Sequence, residues 1–188
     1  IGSTGTGKTT QMRALIAQMR LRRDRAVVFD LTGAYVEAFY NPETDTILNP
    51  MDERCPSWSV FGEAKNHADF TGIAAALLPA DGGGAEPFWM LAARTLFVET
   101  CIKLIKDGQA TNQALASRLM MADLKEVHKM LENTVADPLT APEAAKMAES
   151  IRAVFNTNAQ GLRFLPEGKE PFSIQAWIRT DDKPGSIL

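Results

Sequence analysis

The fold of this chain is decided by the stretch Gly2-Ser3-Thr4-Gly5-Thr6-Gly7-Lys8-Thr9 near its start. In this pattern, glycines let successive backbone N–H groups turn inward around a phosphate, at the positive end of a helix. The lysine supplies a point charge for the β- and γ-phosphate oxygens, and the hydroxyl after it is a Mg²⁺ ligand. Thr10 is expected near the α-phosphate. The sequence therefore predicts that ATP and Mg²⁺ bind at residues 2–10.

The residues after the glycine loop support this interpretation over a chance match. Residues 8–23 carry apolar side chains at helical spacing, and residues 26–29 form a short apolar run that predicts a buried parallel strand. A loop, a helix and a strand in this order open a βαβ unit. Only Ile1 precedes the loop, so we expect the strand that feeds it to lie outside this chain.

Two aspartates follow predicted strands and have two open interpretations each. Asp30 ends the strand at 26–29, where ligands of α/β sheets gather, so it either contacts the metal shell or a catalytic water, or forms a turn. Asp52 follows a second predicted strand, at 46–48, and an Asn49-Pro50 turn. An Asx-type turn is the favoured interpretation for Asp52.

From about residue 61 to about residue 164 the pattern changes to four or five successive amphipathic helices. Pro87–Lys106 reads as one helix that begins with a proline in its first turn. Asp123 with Glu126, and Thr140 with Glu143, fit capping boxes and predict helices near 124–132 and 141–160. Residues 171–178 differ again, and residues 186–188 predict the first part of a strand that returns to the sheet.

Composition narrows the class of protein. The chain is 45% apolar and 23% charged with a formal net charge of −3, so it lacks a global basic field. Its longest apolar run, residues 73–78, is far too short to cross a bilayer, which predicts a soluble piece. The two cysteines predict neither a disulfide framework nor a zinc site, and His67 and His128 stand without a metal-ligand partner in sequence.

The arginines and tryptophans favour structural roles. The arginines of the first helix and the turn after it are scattered around a polar side, so a solvated face is favoured over a DNA patch. The three tryptophans are expected to fill core or interdomain positions rather than to stack on bases. The residues concerned are Arg13, Arg20, Arg22, Arg23, Arg25, Trp58, Trp89 and Trp177.

With several motifs taken in order, the chain resembles the type IV coupling proteins of bacterial conjugation, of the TraD type. The resemblance runs nearly from end to end. The motifs are the glycine loop, Asp30-x-x-Gly33, Asn49-Pro50-Met51-Asp52, Pro87-Phe88-Trp89 and Pro171-Phe172-Ser173-Ile174. The resemblance implies a RecA-like nucleotide-binding domain in residues 1–60 and 165–188, interrupted by an all-α domain in residues 61–164. The fold class expected is thus α/β, a partial P-loop NTPase domain with a helical insertion.

The resemblance also implies the activity of the full-length protein. Such proteins are hexameric ATPases on the cytoplasmic face of the bacterial inner membrane, anchored by an N-terminal segment absent here. They bring relaxase and relaxosome proteins to a type IV secretion channel and drive single-stranded DNA through it. The second acidic motif and the arginine finger map onto nothing in this chain, so it is expected not to hydrolyse ATP appreciably by itself.

Two other functions remain open at this point. The segment could act mainly as a docking module whose all-α domain recognises relaxosome proteins, or it could belong to a DNA motor of the FtsK type outside conjugation. The long helical insertion disfavours the second, because such motors return to the sheet sooner.

Overall fold

The computed structural model describes residues 7–79, 87–180 and 185–187. The α-helices are α1 Lys8–Arg22, α2 Ala34–Phe39, α3 Val60–Glu63, α4 His67–Leu77, α5 Pro87–Lys106, α6 Asn112–Met120, α7 Leu124–Leu131, α8 Asp137–Thr140, α9 Ala145–Asn158 and α10 Ile174–Arg179. The strands are β1 Ala26–Val27, β2 Ser57–Trp58, β3 Pro171–Phe172 and β4 Ser186–Ile187. Two 3₁₀ turns, Pro142–Ala144 and Gln160–Arg163, flank α9.

Helix α1 forms as predicted and ends at Arg22. Arg23 adopts a left-handed conformation (φ 60°), and the Asp24 N–H donates to the Met19 carbonyl at 2.9 Å, which closes the last turn. Its apolar face is only partly covered, because Ile16 is buried whereas Met12 is 45% exposed. The helix is confirmed, but its predicted apolar face is not, because Ile16 is the one position of α1 that the described residues bury.

The first sheet is parallel and brings the two ends of the chain together. β4 pairs with β1 through Ala26 and Ser186, and a further bridge joins Thr46 to Ile187 on the other side. The predicted return of residues 186–188 to the sheet is confirmed for the two described residues, Ser186 and Ile187; Leu188 lies outside them. The strand predicted at 46–48 is reduced to the single bridge at Thr46.

The prediction that β1 is a buried strand is wrong for this structure. Regular pairing covers only Ala26 and Val27 of residues 26–29, and the Val27 and Phe29 side chains are 69% and 87% exposed. An apolar run of this kind is typical of a strand covered on both faces. Among the described residues, nothing covers the face to which Val27 and Phe29 belong.

The helices between β2 and β3 enclose the main core. Helix α5 lies at its centre and packs against α4, α6, α7 and α9. Phe97, Cys101 and Leu104 of α5 are fully buried, as are Phe70 of α4 and Phe155 of α9. The prediction of one helix over Pro87–Lys106 is confirmed. The described part of this segment contains more helices than the four or five expected, and several of them are short.

Neither predicted capping box forms in full: Asp123 caps α7, but the Glu126 carboxylate accepts from Arg118 instead of reaching back to the Asp123 N–H. The Asp123 carboxylate accepts from the Lys125 N–H at 2.8 Å and caps α7, which confirms the helix near 124–132. Thr140 instead ends α8, where its hydroxyl donates to the Asp137 carbonyl at 3.2 Å. The helix predicted from 141 begins only at Ala145, because a 3₁₀ turn opened by Pro142 precedes it.

The chain enters and leaves the helical segment side by side. β2 and β3 form a second parallel pair, with Ser57 opposite Pro171 and Trp58 opposite Phe172. Asn112, the first residue of α6, is buried against β2: its side-chain amide donates to the Trp58 carbonyl at 2.7 Å, and its oxygen accepts from the Val60 N–H at 3.1 Å. This buried amide fixes the helices to the entry strand.

Candidate functional site

The described part of the glycine loop begins at Gly7, the residue before α1. Gly7 has a left-handed conformation (φ 77°, ψ 15°), and its carbonyl accepts the first helical hydrogen bond, from the Gln11 N–H at 3.0 Å. Although a Cβ would meet no atom within 4 Å there, the positive φ disfavours other residues. The sequence requires glycine at this point for its backbone conformation.

Lys8, Thr9 and Thr10 form the first turn of α1, and their side chains are exposed. No acidic residue lies in this turn, and Gly7 provides no side-chain cap for its N–H groups. The positive end of a fifteen-residue helix therefore presents amides, a lysine and two hydroxyls without a carboxylate of its own turn, which favours an anion. The predicted contacts of Gly2, Ser3, Thr4, Gly5 and Thr6 lie outside the described residues.

Asp30 lies beyond the carboxyl end of β1 and holds the start of α2. Its Oδ2 accepts from the Tyr35 N–H at 2.7 Å and from the Val36 N–H at 2.9 Å. Burial raises the pKa of Asp30, but hydrogen bonds from backbone amides outweigh it and lower the pKa below its usual value. Oδ1 is buried and has no hydrogen-bond partner among the described residues.

A cleft of about 680 Å³ opens beside Asp30 at the carboxyl ends of β1 and of the 46–48 segment. Its polar lining residues are Asp30, Thr32, Glu37, Tyr40, Asn49, Asp52 and Arg54. The Arg54 guanidinium lies 4.8 Å from the centre of the Tyr40 ring. Sequence reasoning missed this contact, because fourteen positions separate the two residues and no short motif joins them.

Asp52 is a turn-forming residue, as its favoured interpretation predicted. Its Oδ1 accepts from the Arg54 N–H at 2.9 Å, which is an Asx turn, and its Oδ2 accepts from the Arg54 Nη2 at 2.7 Å. The side-chain hydrogen bond from Arg54 lowers the pKa of Asp52 to about 2. The carboxylate is thus ionised and engaged with its own arginine at neutral pH.

The prediction that the arginines near α1 form a solvated face is wrong for two of them. Arg20 forms an ion pair with the buried Asp45, and Arg25 stacks on Trp177 at 4.1 Å from the ring centre. Both contacts join segments far apart in sequence, so helical spacing could not reveal them. Trp177 is half-buried beneath Arg25, and Trp58 is half-buried beside Glu63.

The histidines and cysteines do not assemble into a metal site in the described part of the chain. No group of three or more potential ligands occurs there. The His67 Nε2 lies 3.7 Å from the Glu99 Oε1, and the His128 Nδ1 lies 3.5 Å from the Asp137 Oδ1. Each histidine is thus beside a single carboxylate. Cys55 and Cys101 are both buried and free.

The whole length of the chain matches a known family. The model of the type IV secretion-system coupling protein DNA-binding domain matches residues 1–188. The chain belongs to this family. Coupling protein TraD of Escherichia coli (strain K12) is 33% identical over 193 residues, covering 100% of this chain and 27% of that protein.

Solved structures of another coupling protein have the same fold. The bacterial conjugative coupling protein TrwBdeltaN70, in its unbound monoclinic form, is 31% identical with a TM-score of 0.86, over 99% of this chain and 44% of that one. Plasmid coupling protein TrwB in complex with ADP and Mg²⁺ gives a TM-score of 0.87 at 31% identity, over 99% and 44% of the two chains. The chain therefore spans about a quarter of TraD and under half of the solved TrwB chains.

The family match covers the helical segment as well as the glycine loop. It favours the resemblance to conjugation over a motor of the FtsK type. Among the helices that the structure describes, none combines the length and apolar character needed to cross a bilayer.

Proposed function

We propose that this chain is the nucleotide-binding edge and the all-α domain of an ATP-driven coupling protein of bacterial conjugation. The observation that carries the proposal is the start of α1, where Gly7 is left-handed and is followed by Lys8 and Thr9 in the first turn of the helix. This is the arrangement that holds the phosphates of a nucleoside triphosphate. TrwB, a solved relative, has been captured with ADP and Mg²⁺, which supports the same ligands here.

The proposed roles follow from the chemistry of each group. Backbone amides of residues 2–10 surround the phosphates, Lys8 neutralises the β- and γ-phosphate oxygens, and the exposed Thr9 hydroxyl is the Mg²⁺ ligand. When bound and held by Thr9, Mg²⁺ would supply positive charge that offsets the charge of the phosphates. Asp30 is a candidate for the metal shell or the attacking water, supported by its depressed pKa and by an Oδ1 that accepts no hydrogen bond from the described residues.

The proposed architecture is a partial RecA-like domain with a helical insertion. Residues 1–60 and 165–188 belong to the nucleotide-binding domain, and residues 61–164 form the all-α domain. The parallel pairing of β1 with β4 supports it, because residues from the two ends of the chain then share one sheet. The continuous core of α4 to α9 supports a separate helical unit.

For the whole protein we propose a homo-hexamer on the cytoplasmic face of the inner membrane, anchored by an N-terminal segment. It recruits the relaxase–DNA complex with the relaxosome proteins, delivers it to the type IV secretion channel and moves single-stranded DNA with ATP. The names of TraD and TrwB as coupling proteins support this role.

The motor function is tested in the full-length protein by DNA-stimulated ATP hydrolysis and by binding of Mg²⁺-ATP. Lys8→Ala is expected to abolish stimulated hydrolysis and to weaken binding, because the phosphate charge loses its lysine. Lys146→Ala, which removes an exposed lysine from α9, is the matched control and should retain both. Equal activity of the wild type and Lys8→Ala would refute the proposal. The 188-residue chain alone is expected to show no appreciable hydrolysis.

A second function, docking of relaxosome proteins, is favoured by the core of the helical unit, which is largely its own. Residues 61–164 can be used as bait for the relaxase, with circular dichroism to establish that the bait is helical. Retention of the relaxase supports docking. A folded bait that retains none of it counts against this function and leaves the motor test unaffected.

A further inference from the structure

Helix α10 is capped at its start by a carboxylate from the helical unit. The Glu63 Oε1 accepts from the Ile174 N–H at 2.6 Å and the Oε2 accepts from the Gln175 N–H at 3.0 Å. Glu63 is the last residue of α3, more than a hundred positions earlier in the chain. A carboxylate at this end of a helix satisfies amides that have no partner within the helix and complements its dipole.

Glu63 is nearly buried and is held by several donors at once. Only 9% of the residue is exposed. The Trp58 indole N–H donates to its Oε1 at 3.0 Å, and the Gln175 side-chain amide donates to its backbone carbonyl at 2.9 Å. Because a buried charge is tolerated only when hydrogen bonds replace its water, this carboxylate strongly favours the arrangement in which α10 and β2 both contact it.

The other end of α10 is held by a cation from the nucleotide-binding segment. The Arg25 Nη1 donates to the Ile178 carbonyl at 3.1 Å and to the Thr180 carbonyl at 2.7 Å. Its guanidinium lies over the Trp177 ring. A cation over the last carbonyls of a helix is favourable for the dipole, as the carboxylate is at the start.

Arg25 stands between α1 and β1, three residues after the helix that begins with Lys8. Two remote segments thus meet on one short helix, with Arg25 at one end and Glu63 at the other. Six residues are too few for an independently stable helix, so α10 depends on the groups at its ends. Loss of one end contact therefore weakens the helix as a whole, including the contact at the far end.

We infer that α10 is a strut that couples the α1–β1 unit to the helical unit, with Arg25 and Glu63 as its two positioning residues. Movement of α1 relative to β1 on nucleotide binding then reaches Trp58 and β2 through α10; this last step rests on the proposed nucleotide site. A passive spacer would instead respond to each end contact separately. The two cases differ in what a change at one end does to the other.

Hydrogen exchange in the full chain without nucleotide tests the strut directly. Arg25→Gln is expected to speed exchange of the Ile174 and Gln175 amides, at the opposite end of α10, by about tenfold or more. Arg22→Gln removes a neighbouring exposed arginine that pairs with Asp24, and should leave both amides unchanged. Faster exchange confined to the amides near Thr180 would overturn the inference.

Unfolding by denaturant provides a second measure that does not need a fully native variant. Residues without shared contacts normally give additive effects. The midpoint denaturant concentration of the combined Arg25→Gln and Glu63→Gln variant is expected to fall by less than the sum of the falls in the two single variants. Glu63→Gln combined with Arg118→Gln, on α6, should be additive. Additive losses for the Arg25 and Glu63 pair would contradict coupling through α10.

The step from nucleotide to helical unit is read from the Trp58 indole by fluorine NMR of the full chain labelled with fluorotryptophan, which keeps Trp177 beneath Arg25. Mg²⁺-ADP is expected to shift the Trp58 resonance, assigned with Trp58→Phe, and Arg25→Gln is expected to abolish the shift while calorimetry still detects binding. Binding that still changes the Trp58 signal in Arg25→Gln would overturn the strut. A wild-type chain that binds no nucleotide would defeat the proposed function instead, and the exchange experiment would still decide the strut.

Discussion

The Arg20 guanidinium and the Asp45 carboxylate form a two-pronged ion pair between α1 and the segment that leads to Thr46. The Nη1 donates to Oδ1 at 2.8 Å, and the Nη2 donates to Oδ2. The Asp45 side chain is fully buried and also accepts from the Ser186 N–H at 2.8 Å and the Asn41 N–H at 2.8 Å. One carboxylate thus fixes helix α1 against β4.

Replacement of Asp45 by asparagine is expected to lower the free energy of unfolding by about 2–3 kcal/mol, because it leaves a partly buried guanidinium without its charge partner. Asp52→Asn is the matched control. It breaks a more exposed pair with Arg54 and should cost less than about 1 kcal/mol. Chemical denaturation of the three proteins measures both values. Equal costs for the two variants would mean that burial of Asp45 contributes nothing.

The same carboxylate makes stability depend on pH. Burial raises the pKa of Asp45, but hydrogen bonds from Arg20, Asn41 and Ser186 outweigh it and hold the pKa below its usual value. A depressed pKa contributes stability that is present above the unfolded value of about 3.9 and is lost as the pH falls through the folded value. The difference in unfolding free energy between wild type and Asp45→Asn should therefore shrink below about pH 4. A difference that stays constant down to pH 2 would contradict this assignment.

Gly185 is expected to tolerate no side chain. Its φ is +146°, and a Cβ would lie 2.0 Å from the Thr44 carbonyl oxygen. Gly185→Ala should cost about 2 kcal/mol or more, because strain in a region almost restricted to glycine is added to the clash. Gly161→Ala, where a Cβ meets nothing within 4 Å, should have little effect. The melting temperatures of the two variants provide the comparison.

The two cysteines are expected to be inert in the folded protein. Burial raises the pKa of both thiols, most strongly that of Cys101, so the reactive thiolate is scarce and inaccessible at neutral pH. A thiol-specific chromogenic reagent at pH 7.5 should label neither residue in buffer and both in denaturant. Rapid labelling of Cys101 in buffer would show that the helical core opens readily.

Local signals in the sequence predicted the start of the candidate site and the central helix of the core. Helix α1, the turn at Asp52 and the long helix Pro87–Lys106 follow from glycine, Asx and apolar-spacing patterns, which act over a few residues. The cap at Asp123 follows for the same reason. The start of α9 was missed because Pro142 and the α8 end at Thr140 compete with a capping box.

The long-range contacts were beyond such reasoning. Arg20 with Asp45, Arg25 with Trp177 and Glu63 with α10 join segments separated by 25 to more than 150 positions. Nothing in local spacing distinguishes these side chains from solvated ones. The exposed Val27 and Phe29 show the reverse case, since their pattern indicates cover that the described residues do not supply.

Ser57 and Pro171 are directly opposed in the parallel pair through which the chain enters and leaves the helical unit. When the two ends of a segment lie side by side, the segment can be lengthened, shortened or replaced without shifting the register of the sheet outside it. In evolutionary terms, change in the helical unit and preservation of the glycine loop and its sheet then become separable. Relatives can diverge in the helical unit while the residues around α1 remain unchanged.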